Sequence, residues 1–145
     1  MDFPRIGFGT YNLIGFAGTE AVTEAIDVGY RLIDSAWSYG NEGAVGAAVR
    51  RSSVAREELI FTSKLTGRYQ RYDLAVAATE ESLLRSGLDY LDLHLIHWPN
   101  PKLDHYVEAW QALIDCRERG LIREIGVCNF NPDHLDRLHA DTGVL

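Results

Sequence analysis

The chain reads as a parallel α/β protein, a partial (β/α)8 barrel of about five strand–helix units, and three observations carry that reading. Polar residues close successive expected strands at Asp34, Lys64, His97 and Cys128-Asn129, spaced 30, 33 and 31 residues apart, which is the length of a strand plus a crossover helix. Regular repetition of that unit gives a parallel sheet. Four consecutive strand ends carry side chains capable of chemistry, whereas a doubly wound sheet concentrates its site at one switch point. Finally, Gly7-Phe8-Gly9-Thr10-Tyr11-Asn12 lacks the third glycine and the helix of a dinucleotide-binding turn. A full barrel needs eight units and about 250 residues. Residues 1–145 therefore read as a single domain truncated before its sixth strand, of which Val144-Leu145 would be the start. Its first and fifth strands would present open edges, to be covered by more chain or by a partner.

The elements follow in order. Ile6-Gly7-Phe8-Gly9 is expected to form a very short first strand, with Gly9-Thr10-Tyr11 leading into a loop. Thr19 is a candidate N-cap for a helix with Val22, Ala25 and Ile26 on one face and Gly29 as its stop. Arg31 to Ile33 forms the second strand, which ends at Asp34. Tyr39 follows in a glycine-containing turn, and Asn41 is expected to cap a helix from about Glu42 to Arg51. Arg56-Glu57-Glu58 is a charged link to the strand Leu59 to Ser63, which ends at Lys64. Asp73 is the expected cap of the next helix, with Val76, Ala77, Leu83 and Leu84 as its apolar residues and Gly87 as its stop. Leu91 to Ile96 is a strand ending at His97, since Pro99 and Pro101 forbid continuation. Asp104 is assigned as cap to a helix in which Val107, Trp110 and Ile114 recur at helical spacing, closed by Gly120. Ile122 to Val127 is the fifth strand. Asn131-Pro132 opens the last helix, with asparagine as cap, proline at the first helical position, and Leu135 and Leu138 apolar.

Composition excludes several partners. A net charge of −7 leaves no basic face for nucleic acid. No apolar run approaches the roughly 20 residues of a membrane span, and Met1 to Arg5 carries no signal-peptide pattern. Two cysteines, Cys116 and Cys128, make neither a disulfide framework nor a metal-binding spacing. The expected compartment is the cytoplasm, with no metal site.

Asp34, Tyr39, Lys64, His97 and Asn129 gather on the rim where such strands give way to loops. A free phenol, with a pKa of about 10, is a poor proton donor at neutral pH, and a neighbouring ammonium stabilises its phenolate. Lys64 is the cation on the adjacent strand, and Asp34 can supply its counter-charge. His97 can donate a hydrogen bond to a carbonyl oxygen held between it and Tyr39. The group polarises a carbonyl and delivers a proton to its oxygen. It holds no hydride, so a carbonyl reduction also requires a reduced nicotinamide, whose carboxamide Asn129 can fix. Taken singly, each residue has a structural explanation: a cap or ion pair for Asp34, packing for Tyr39, a solvated Lys64, a satisfied His97. Their joint placement singles them out. His94, of opposite parity to His97, and Asp92 read as structural, His134 and His139 as solvated, and Trp110 as core. Trp98 reads as core or as a wall of the substrate pocket. Cys128 has no base nearby in sequence to make it a nucleophile.

On these residues the chain resembles the aldo-keto reductases, in the flavour of bacterial diketogluconate-reductase-type members. The matching segments are Gly7-Phe8-Gly9-Thr10-Tyr11, Gly29-Tyr30-Arg31-Leu32-Ile33-Asp34-Ser35-Ala36 with Tyr39-Gly40-Asn41-Glu42, Thr62-Ser63-Lys64, Leu95-Ile96-His97-Trp98-Pro99, and Ile125-Gly126-Val127-Cys128-Asn129-Phe130. The resemblance implies reduction of an aldehyde or ketone, a small molecule, by NADPH (NADP+). It implies Asp34, Tyr39, Lys64 and His97 as a catalytic tetrad with Tyr39 as general acid, and Asp34 also at the cofactor. It implies Asn129 and Cys128 as contacts of the nicotinamide carboxamide, Gly9 and Thr10 beside the cofactor, and Tyr11 and Trp98 in the substrate pocket. Three departures stand out. Cys128 takes a position that is usually serine, and a thiol is the weaker hydrogen-bond partner. The hairpin that usually plugs the barrel bottom is missing before Asp2. The units after the fifth, which in the family bring the ring-stacking tyrosine, the phosphate loop and the substrate loops, are absent. The alternative is a catalytically inactive half-barrel, an interaction module completed by a partner or by self-association through its open edges. A phosphate-sugar enzyme fares worse, because its phosphate site normally follows the seventh and eighth strands.

Overall fold

A computed structural model describes residues 2–144, and in it five parallel strands lie side by side in chain order. They are β1 (Phe8–Gly9), β2 (Leu32–Asp34), β3 (Ile60–Leu65), β4 (Leu91–Ile96) and β5 (Ile122–Val127). One helix follows each: α1 (Gly15–Asp27), α2 (Glu42–Arg51), α3 (Tyr72–Ser86), α4 (Tyr106–Glu118) and α5 (Pro132–Thr142). An unbroken sequential order of neighbours is that of a barrel wall; a doubly wound sheet would reverse at a switch point.

The register sets where the strand ends fall. Asp34 is level with Thr62, two residues before Lys64; Lys64 is level with Leu95, two before His97; and Leu95 is level with Gly126, two before Cys128. Steps of two preserve side-chain parity, so Asp34, Lys64, His97 and Cys128 share the inner face along the rim. The opposite parity packs against the helices. Ile33 and Phe61 meet Val22, Ile26, Val45 and Val49, while Leu65, Ile96 and Ile125 meet Ala109, Trp110, Leu113 and Leu138. Each large apolar side chain buried in this layer contributes about 1.5–3 kcal/mol relative to exposure. On the inner face Leu32, Leu93 and Leu95 are only half-buried, because among the described residues no strand faces them.

The strands and helices stand close to their expected places, and the departures have physical causes. β3 runs through Lys64 to Leu65, so the lysine lies inside the ladder. Helix α1 begins at Gly15, not after Thr19: Gly15 takes the left-handed conformation (φ +61°) and Gly18 packs against the Leu13 backbone, which turns the chain earlier. Thr19 is buried within the helix, and its hydroxyl reaches the Ala44 carbonyl (3.1 Å), joining α1 to α2. Asn41 does precede α2, but its side chain makes no cap bond. Asp73 lies in the first turn of α3, after an extended Arg71, where its charge still suits the helix dipole. The buried face of α3 is Ala75, Ala78, Thr79, Ser82 and Ser86, while Leu84 is 77 % exposed. Small side chains on that face let α3 approach α2 closely. Asp104 has φ +57°, unlike an N-cap, and pairs with Arg137 instead; His105 precedes the helix. His134 is not simply solvated: its Nδ1 accepts from the Asn131 backbone amide (3.1 Å), completing a capping box at the start of α5. Val144 is in no strand, its carbonyl accepting from Trp110 Nε1 (3.1 Å), and Leu145, the other residue of the expected sixth strand, lies outside the described residues. Among the described residues no helix is long and apolar enough to cross a membrane.

Candidate active site

β2 delivers Asp34 to the rim and then breaks, because Ser35 and Ala36 lead into a one-turn 3-10 helix, Trp37–Tyr39, closed by Gly40 in the left-handed conformation (φ +66°). That reversal brings the Tyr39 phenol back over the end of β3. Lys64 Nζ donates to Asp34 Oδ2 (2.7 Å) and to the Ser35 carbonyl (2.9 Å), and lies 3.5 Å from Tyr39 Oη. An ammonium has three hydrogens and no acceptor, so these three oxygens occupy it fully. The Tyr39 oxygen accepts from Lys64, which leaves its own proton free to be donated elsewhere. Lys64 is 5 % exposed, and Asp34 is the carboxylate that compensates its charge at that depth.

His97 continues the β4 ladder, its amide donating to the Leu65 carbonyl (3.1 Å). Its imidazole stands edge-on to the Tyr39 ring (centroids 5.9 Å apart) and stacks on Trp98 (6.3 Å, 23°). Partial burial and the Lys64 ammonium hold the His97 pKa below the ordinary histidine value, with Asp34 opposing. The ring is therefore neutral at neutral pH, a hydrogen-bond donor without a charge. Ser38 Oγ lies 3.5 Å from Nδ1, an arrangement that suits the tautomer with its proton on Nε2. On the other side Tyr11, 68 % exposed, meets Tyr39 edge-on at 5.1 Å. Tyr11, Tyr39, His97 and Trp98 thus form one row along the rim.

The other candidate residues divide. Gly9 is exposed, and a Cβ there would meet nothing within 4 Å, so the backbone is open to a ligand. Thr10 is fully buried: its hydroxyl donates to the Asp34 carbonyl (2.9 Å) and takes a bond from Asn41 Nδ2 (3.1 Å). Its side chain braces the loop, and Tyr11 is what the loop shows to solvent. Cys128 carries on the β5 ladder through its amide to Ile96 O (2.8 Å). Asn129, in the left-handed conformation (φ +63°), uses Nδ2 on the His97 carbonyl (2.8 Å) and on Cys128 Sγ (3.2 Å). Its Oδ1 remains as an acceptor, which fits the NH2 of a carboxamide placed beside His97. The donor set is thus compatible with a nicotinamide at this rim.

Four residues of the site had a different reading in the sequence or none. Asn41, expected to cap α2, is 1 % exposed and holds the Thr10 carbonyl (2.7 Å), the Leu13 carbonyl (3.0 Å) and the Ser35 hydroxyl (2.7 Å). Ser35, Ser38 and Glu42 are its neighbours in the chain. The signal available was their density: a run of polar residues around Tyr39, between two apolar elements, holds more hydrogen-bonding groups than one cap requires.

The family model described as "Aldo/keto reductase family" matches residues 5–145. The chain is 51 % identical over 142 residues to 2,5-diketo-D-gluconic acid reductase B of Corynebacterium sp. (strain SHS752001), an alignment covering 98 % of this chain and 51 % of that one. Its fold superposes on an aldo/keto reductase from Brucella melitensis with a TM-score of 0.93 and 42 % identity, covering 97 % of this chain and 55 % of that one. A mutant of Gox0644 solved in complex with NADPH gives a TM-score of 0.91 at 39 % identity, covering 98 % and 51 %. The chain spans about half the length of the relatives it matches.

Proposed function

Because this chain belongs to the aldo/keto reductase family, we propose that it carries the proton-donating half of an NADPH-dependent carbonyl reductase that turns an aldehyde or ketone into an alcohol. The observation that carries the proposal is the three-way engagement of Lys64 with Asp34, Ser35 and Tyr39. It makes Tyr39 Oη an acceptor toward Lys64 and a donor toward the open rim. A carbonyl oxygen placed between Tyr39 and His97 would receive two hydrogen bonds, one from each, and charge developing on it would be stabilised as it forms. Tyr39 then gives up its proton to that oxygen, and the Lys64 ammonium, held by Asp34, stabilises the phenolate left behind. Reduced nicotinamide, when bound, supplies the hydride. Within this chain Asn129 Oδ1 and the open backbone at Gly9 are the groups offered to it, with Cys128 beside them. Tyr11 and Trp98, exposed on either side of Tyr39 and His97, would wall the substrate.

In a protein extended to the length of its relatives, Tyr39→Phe is expected to lower kcat by at least about 100-fold, the usual contribution of a positioned acid, while NADPH affinity measured by fluorescence titration stays within twofold. Turnover retained within a factor of two would reject the assignment of Tyr39. A second reading, a half-barrel that binds its own kind and does no chemistry, is favoured by the half-buried inner leucines and by the place of β5 as an outermost strand among the described residues.

A further inference from the structure

Two consecutive side chains at the start of α2 hold the Tyr39 turn from opposite sides. Asn41 ties it to Thr10, Leu13 and Ser35. Glu42 reaches the other way, its Oε1 accepting from the hydroxyl of Ser63. Ser63 immediately precedes Lys64 in β3, and Glu42 lies three residues past Tyr39. Besides the bonds of Lys64 itself, this side-chain bridge joins the segment that carries the phenol to the strand that carries the ammonium. The bridge is a costly one. Glu42 is 1 % exposed, and its Oε2 has no hydrogen-bond partner among the described residues. Arg85 Nη1 stands 3.8 Å from that oxygen, with its guanidinium laid over the Trp37 ring at 3.6 Å. Burial pushes the Glu42 pKa up, against the Ser63 and Ser82 hydroxyls and Arg85, which lower it. Leaving a buried polar atom unsatisfied is costly, and an apolar side chain could join α2 to β3 without that penalty. Local rules are broken in this way where a site demands a position that stability alone does not.

Resting on the reading of Tyr39 as proton donor, we infer that Glu42 is a positioning residue: through Ser63 it sets the distance between Tyr39 Oη and Lys64 Nζ. It touches neither substrate nor cofactor. Among the side-chain hydrogen bonds of the described residues, those of Asn41 and Glu42 join the start of α2 to the rim, and that of Glu42 reaches β3 beside the lysine. Without Glu42 the first turn of α2 keeps Asn41 and Val45 but loses its tie to the strand that carries the lysine.

The test uses the 145-residue chain itself. The chain has two lysines, Lys64 and the exposed Lys102, so selective 13C-lysine labelling gives one ε-methylene signal from the site and one internal reference. Lys64 Nζ lies 5.0 Å from the Tyr39 ring centroid, so the ring current displaces its signal from that of Lys102. Glu42→Gln is expected to leave the Lys64 signal in place, because a glutamine oxygen still accepts from Ser63. Glu42→Ala and Ser63→Ala should each move the signal at least half-way to that of Lys102. Val45→Ala, a buried apolar change on the same helix, should lower stability and leave the signal where it is. Should Glu42→Ala fail to fold by circular dichroism, Ser63→Ala removes the same bond from its other end. The inference is overturned by folded Ser63→Ala protein with the Lys64 signal unmoved, by Val45→Ala moving it equally, or by a wild-type signal that already coincides with Lys102. The measurement needs neither cofactor nor turnover, so a chain that reduces no carbonyl would refute the reductase reading and leave this test intact.

Discussion

At the scale of single residues the site is a matter of saturated and unsaturated hydrogen bonding. Lys64 spends all three of its hydrogens on oxygens of the chain, and this is what leaves the Tyr39 proton available. These residues were legible in the sequence because strand ends in a parallel fold face one rim and the closing positions repeat at a regular spacing. Asn41, Ser35 and Glu42 were not legible in the same way. A polar residue before a helix reads as a cap, and only the approach of Thr10 and β3 offers it better partners. His94 shows the same logic with the opposite outcome: its parity places it on the helix side, where it is fully buried and neither ring nitrogen has a hydrogen-bond partner among the described residues. Burial pushes its pKa down to about 4, the Ser63 backbone opposing. A depressed histidine pKa stabilises the fold above the unfolded value of 6.5, and that stability is lost as pH falls from 6.5 toward 4. The shift corresponds to about 3 kcal/mol. In urea titrations the difference between wild type and His94→Leu should therefore change by about that amount across the window. A constant difference would mean that His94 is protonated equally in both states.

At the scale of elements, helix packing decided what propensity alone did not. Helix α3 has an apolar set in its sequence, yet it buries alanines and serines and leaves Leu84 in water. The cause is the close contact with α2, where a Cβ added at Gly46 would come within 2.1 Å of the Ser86 carbonyl oxygen. Glycine in a helix is less favourable than alanine by about 1 kcal/mol, so an isolated α2 would gain from Gly46→Ala. In the folded protein the overpacking term should win, costing about 1–3 kcal/mol. Thermal denaturation of Gly46→Ala is thus expected to show a fall in Tm, and an unchanged or raised Tm would mean that α2 and α3 can move apart freely. In the same way Thr19, buried within α1, meets the Ala44 carbonyl of α2, and Asp104 pairs with Arg137 of α5 instead of capping α4.

At the scale of the whole molecule, five parallel strands make a wall with a concave inner side. Leu93, Leu95 and Gly126 share that side, the glycine admitting the Leu95 side chain, and the two leucines are half-buried. Among the described residues β5 is an outermost strand of the sheet, and such an edge is a template for further pairing. The 145-residue chain is accordingly expected to elute in size exclusion above its mass of 16.3 kDa, with a concentration dependence that Leu93→Glu abolishes. A monomer at all concentrations that binds NADPH tightly would exclude the self-associating reading.

The sequence by itself determined the repeating strand–helix unit, the bounds of β4, β5 and α2, and the four residues of the Asp34, Tyr39, Lys64 and His97 rim. Those properties follow from periodicity and parity, which are local. Tertiary structure alone decided how Asn41 and Glu42 are used, which face of α3 is buried, and that Thr10 turns its hydroxyl inward. Each of these depends on which partner a polar or small side chain meets when distant elements close together, and that is set by packing between segments some 20 to 40 residues apart, as with Thr10 and Asn41 (31 apart) or Ser63 and Glu42 (21 apart).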